Sequence, residues 1–378
     1  MKPAWRVGFE LELMAPPGAD RRMLAEAIAA RRPGGSVRRV FHLESEPSAV
    51  KGKPVFHNLT LGFEALDGDG RVLARCLDDL TLQADLDRLA APRPGWFRIV
   101  SDDARLLRLA ARHAAPEAGL PGVLEPVAAL FGTALEPGPG GMFRLVDDLG
   151  ASVMIGAPLP GERERPCELV TPPLDGDRAE RLGELVGVAR ELGFGVPREA
   201  ALHIHYDAAA LRDARVIADL VAFFARHGEA LKTLVATNPA CRRLGGWAPE
   251  LVAAATAPDF ATLPWPAAEA RLKALEPTKY CDFNLQNLVY RTPGKDTFEV
   301  RVLPVSLDVA QVLAAAELFE AILVALCAGP LAIAEGATTS ASASATMTRL
   351  IDALPLGDAA RAHWLAAAAA IDVTPARR

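Results

Sequence analysis

The sequence predicts an α+β fold built on a mainly antiparallel sheet. Hairpin signals crowd its first half, strands and amphipathic helices then take turns, and no repeat of fixed period appears. The 378 residues are 51% hydrophobic, enough for one large domain or two ordinary ones.

Taken in order, residues 5–14 (WRVGFELELM) read as a strand. Asp20 is an N-cap for a helix running to about Arg31, stopped by Pro33, Gly34 and Gly35. Residues 55–66 and 71–80 flank Asp67–Gly70, a hairpin signal. Residues 95–100 form a further strand, with a helix start at Ser101–Asp103. The Pro- and Gly-rich stretch 115–142 is expected to be loop with a short helix, and 143–159 a hairpin around Asp147–Gly150. A strand at 167–174 is halted by prolines. Asp177 then caps a helix with Leu182, Leu185, Val186, Ala189 and Leu192 on one stripe, closed by Gly193. Residues 201–207 are a strand, and a long helix follows from Asp213. Two strands, 283–291 and 296–304, flank the turn Thr292–Lys295. Asp308 caps a last long helix that ends at Gly329-Pro330. The expected domains are 1–335, catalytic, and 336–378, a low-complexity linker with a short Ala-rich helix over 359–371.

Composition narrows the function. Net charge is −6 with no basic tract, which argues against a nucleic-acid partner. Five scattered cysteines with no C-x-x-C pair argue against a disulfide framework or structural zinc. The N-terminus reaches carboxylates before any apolar core of a signal peptide could form. The longest strictly apolar run, Ala321–Ala334, is broken by Gly329-Pro330 and too short for a bilayer. The expectation is a soluble, cytoplasmic protein with no membrane partner.

Several strands carry ionisable groups at i and i+2, on one face of an otherwise apolar segment. They are Glu10 and Glu12 in GFELEL, His203 and His205 in LHIHYD, and Glu299 and Arg301 in DTFEVRVLP; CELV adds Glu168. Taken singly, each fits a half-solvated strand or a cross-strand ion pair. Together, on neighbouring strands with faces aligned, Glu10, Glu12, Glu168, His203 and Glu299 would converge. Four carboxylates at close range repel, and divalent cations relieve that conflict. An oxygen-rich set with one imidazole suits Mg²⁺ or Mn²⁺. Arg301 in the same cavity would meet phosphate.

GFELEL, CELVTPPL, LHIHYD, FNLQNL and DTFEVRVLP, in that order over about residues 5–325, resemble the amidoligase family of the glutamine synthetase and glutamate–cysteine ligase superfamily. The resemblance implies a curved antiparallel sheet of glutamine synthetase catalytic type, with helices on one side. It implies ATP and Mg²⁺ (or Mn²⁺) as cofactors, and amide formation through an acyl phosphate between a small carboxylate and an amine of amino-acid or peptide-like type. Carried over, Glu10 and Glu12 ligate two different metal ions, Glu168 joins one, and His203 and Glu299 are further ligands. Glu299 and Arg301 are the catalytic pair. His205, Arg301 and Asn284 fall on the cofactor side, Asn284 without an assigned role. The second carboxylate usual near Glu168 has only Glu162 and Glu164 as candidates, at unfamiliar spacing. A ring or other homo-oligomer is compatible with the superfamily. The alternatives are a phosphotransferase of guanidino-kinase type, a metal-dependent hydrolase, or a degenerate scaffold. No G-x-x-x-x-G-K-[ST] loop occurs, so any nucleotide must sit in the sheet cavity.

Overall fold

The computed structural model describes residues 5–45, 56–241, 244–331 and 343–371. In chain order the elements are β1 (Val7–Met14), α1 (Arg21–Ala29), β2 (Ser36–Ser45), β3 (His57–Leu66), β4 (Val72–Leu77), β5 (Phe97–Ser101), α2 (Ala104–His113) and α3 (Leu120–Phe131). There follow β6 (Glu136–Pro137), β7 (Phe143–Val146), β8 (Ser152–Pro158), β9 (Pro166–Val170), α4 (Arg178–Glu191), β10 (Ala201–Asp207), α5 (Ala214–Leu234), α6 (Pro249–Ala255) and α7 (Trp265–Lys273). The last are β11 (Phe283–Asn284), α8 (Gln286–Tyr290), β12 (Thr297–Pro304), α9 (Val309–Ala328), α10 (Ala343–Ala353) and α11 (Asp358–Ala370). The architecture is mixed α+β, as expected.

The chain divides into two compact units. Unit 1 holds residues 1–10, 173–183 and 199–378; unit 2 holds 11–172 and 184–198. Strand β1 passes from one into the other between Glu10 and Leu11.

Unit 1 is ordered β11-β12-β10-β1. Strand β12 is antiparallel to both β10 and β11. Alternation sorts its side chains cleanly. Ile204, Tyr206, Phe298 and Val300 are fully buried, at 0% exposure, among helices. Phe224 of α5 lies 5.7 Å from the Phe298 ring and 6.3 Å from Phe319 of α9. Tyr206 donates its hydroxyl to Ala316 O of α9 at 2.8 Å. Helices α5 and α9 thus cover one face, which leaves His203, His205, Glu299 and Arg301 on the other. Both helices start where the sequence places them, with Asp213 and Asp308 accepting from first-turn amides. Helix α11 docks on α9 through Trp364 Nε1, which donates to Ala314 O at 3.1 Å.

Unit 2 continues from β1 through β9, β4, β3, β5, β8, β7 and β6, with β2 on β3. Its β3–β4, β3–β5 and β7–β8 pairs are antiparallel. Residues 57–66 and 72–77 confirm the hairpin read at Asp67–Gly70. The segment 41–100, whose role the sequence left open, supplies β3, β4 and β5 and so extends the sheet; residues 46–55 lie outside the described residues. Helix α1 begins at Asp20, which accepts from Met23 N. Beside it the Arg21 side chain is wholly buried, donating to Leu61 O and Arg163 O with its guanidinium 4.6 Å from the Trp96 ring centre.

Two segments differ from expectation. Residues 283–291 are not one strand: two residues pair with β12, then α8 begins. Asn284 Oδ1 accepts from Gln286 N at 2.8 Å, an Asx turn that bends the chain out of the sheet. Within 115–142, α3 is longer than the prolines implied. Gly119 stands at its N-cap, Pro121 falls in the first turn where no amide partner is needed, and Gly132 closes it at φ 66°.

Among the described residues one helix, Val309–Ala328, is long and apolar enough to cross a membrane, and half of its apolar window is buried in the protein.

Candidate active site

The site grows out of one rung of unit 1. In register, Asn284 of β11 lies opposite Glu299 of β12, and His205 of β10 lies opposite Glu299 from the other side. Strand β1 is next in order and brings Glu10. A β-bulge between Leu202 and Ile204 puts His203 at an irregular position of β10. Such a bulge re-aims a side chain. Ligand atoms of Glu10, His203 and Glu299 lie within 4.8 Å of one another, and all three residues are buried.

Each carboxylate is held. Glu299 Oε2 accepts from Asn284 Nδ2 and Oε1 from Arg301 Nη1, both at 2.7 Å. Asn284 is 1% exposed, and its Oδ1 accepts from Gln286 N, which turns Nδ2 toward Glu299. Glu10 Oε1 stands 3.2 Å from Lys295 Nζ and 3.2 Å from His205 Nε2; Oε2 is 3.5 Å from His203 Nδ1. Burial works against both acids. The positive groups outweigh it: Lys295 and His205 hold Glu10 well below the usual carboxylate range. Arg301, His205 and His203 hold Glu299 at about 2. The imidazoles diverge. Burial and then Arg301 lower His203, whereas Glu10 and Glu299 overcome burial to raise His205.

His205 Nδ1 is 2.9 Å from Thr297 Oγ1, whose hydroxyl donates to Lys295 O at 3.3 Å. That assigns the Nδ1 proton to the bond with Thr297. His205 Nε2 stands 3.2 Å from Glu10 Oε1 and 3.8 Å from Glu299 Oε1, within reach of both carboxylates. The carboxylate–imidazole donor set of Glu10, His203 and Glu299 fits a hard divalent cation.

Of the residues singled out in the sequence, Glu10, His203, His205, Asn284, Glu299 and Arg301 come together in unit 1. Glu12 and Glu168 belong to unit 2, on β1 and β9; carboxylate oxygens of the two lie within 4.8 Å of each other. Glu162 is engaged with Arg165 and with Asp87 N. Among the described residues neither Glu162 nor Glu164 joins a group able to hold a metal. Lys295 escaped the sequence reading. A lysine in a Pro-Gly turn looks like solvated loop, and only the register shows that it reaches Glu10.

Buried carboxylates, a paired arginine and two histidines share one face of the unit 1 strands. The sequence profile of the family described as "Putative amidoligase enzyme" matches residues 3–323, and the chain belongs to that family. No curated protein and no solved structure matches the chain.

Proposed function

We propose that the protein is an ATP-dependent carboxylate–amine ligase working through an acyl phosphate. The observation that carries this is the buried Glu10–His203–Glu299 group with Arg301 at its edge. A carboxylate has no usable leaving group; transfer of the ATP γ-phosphoryl to it creates one, and the amine then displaces phosphate. Glu10, His203 and Glu299 would hold one divalent cation, Mg²⁺ or Mn²⁺, and Glu12 with Glu168 would contribute to a second. A cation held by Glu10, His203 and Glu299 would supply charge neutralisation at the phosphates.

The chain's own groups do the rest. Asn284 fixes the Glu299 carboxylate plane. Arg301 is 11% exposed and offers a fixed cation to a phosphoryl oxygen without reorganisation. His205, steadied by Thr297, aims its second nitrogen into the same space. The low proton affinity of Glu10 and Glu299 keeps both ionised at neutral pH, ready to ligate.

The test is phosphate release from ATP with Mg²⁺ and a panel of amino acids, amines and short peptides. The ligase reading expects release that requires both a carboxylate and an amine. Equal release without amine supports a hydrolase instead, and a stable phosphorylated product supports the guanidino-kinase type.

A further inference from the structure

Two cations serve the carboxylate cluster of unit 1, and they are built differently. Arg301 comes from within β12, is 11% exposed and grips Glu299 at 2.7 Å. Lys295 comes from the turn before β12, and its side chain is 53% exposed although its Nζ stands 3.2 Å from Glu10 Oε1. The backbone of Lys295 is tied down. Its N–H donates to Thr292 O at 3.0 Å, its carbonyl accepts from Thr297 Oγ1, and the adjacent Asp296 pairs with Arg212. A four-carbon stem on a fixed base, with its flank in water, can swing its ammonium out at little cost. The arginine cannot.

The geometry points to Lys295 as a displaceable counter-ion: its ammonium neutralises Glu10 while no divalent cation is bound, and must leave that carboxylate before Glu10 can ligate one. This rests on the ligand set proposed above. Lys295 therefore lowers the affinity of the nucleotide-free site for the cation, acting as a positioning residue through Glu10.

Free Mn²⁺ measured by EPR in titrations of the full-length, EDTA-treated protein without nucleotide tests this. Lys295→Met is expected to tighten Mn²⁺ binding by roughly two- to fivefold, a shift equivalent to loss of one part-exposed competing ion pair. Lys295→Arg, which keeps the charge, should stay near the wild-type value. Lys279→Met, which removes a charge elsewhere in unit 1, should leave it unchanged. A purely structural Lys295 would instead give Lys295→Met a lower melting temperature and no gain in Mn²⁺ affinity. If Glu299→Gln abolishes wild-type Mn²⁺ binding but Lys295→Met binds no more tightly than wild type, this inference fails and the ligand set stands. If Glu299→Gln and wild type bind Mn²⁺ equally, the ligand set fails, and this inference with it.

Discussion

Replacing Glu299 by glutamine keeps the shape of a side chain that is 3% exposed and removes its charge. Glutamine mimics the neutral acid. Burial favours that form, yet Arg301, His205 and His203 hold the carboxyl at about 2 against an ordinary 4.5. Each tenfold change in proton affinity is about 1.4 kcal/mol. The fold therefore favours the carboxylate by about 3 kcal/mol, and Glu299→Gln should lose about that much unfolding free energy at pH 7. The sign of the pH dependence follows. A depressed folded-state value means the stabilisation is fully present above the unfolded value and fades as pH falls toward about 2. At about pH 3.5 the deficit should have shrunk to about 2 kcal/mol. Urea denaturation followed by far-UV circular dichroism, in EDTA, reads both values. Equal urea midpoints at pH 7, or a deficit that widens on acidification, would refute the reasoning.

Other outcomes follow from the same geometry. Glu10→Gln should cost several orders of magnitude in ATP turnover while the far-UV spectrum persists; near-wild-type turnover in both this variant and Glu299→Gln would remove the site assignment. Tyr206→Phe removes the buried hydroxyl hydrogen bond to the Ala316 carbonyl of α9 and should destabilise by about 1 kcal/mol in the same urea assay. Burial raises the Cys167 thiol well above its usual range and Cys281 to about 12. Neither should react with iodoacetamide at pH 8 until the protein is unfolded, as peptide mass mapping would show.

Much of this was legible because strands and helix starts leave local marks. Period-2 alternation marked GFELEL and LHIHYD as strands, and both segments are strands, β1 and β10. Aspartates at 20, 103, 213 and 308 are side-chain caps, each accepting from an amide of its own first turn. What escaped depends on pairing rather than pattern. Nothing in FNLQNLVYR signals that Asn284 turns back to cap Gln286 and also holds Glu299. The bulge at His203 exists only in the register with β12. Lys295 resembles any turn lysine until β12 is laid against β10 with β1 next in order.

An anomalous-difference map from crystals grown with Mn²⁺ and a non-hydrolysable ATP analogue tests the central claim most directly. The account predicts a peak enclosed by the Glu10 and Glu299 carboxylates and the His203 imidazole. Manganese bound elsewhere, with those three side chains keeping their metal-free contacts, would contradict it.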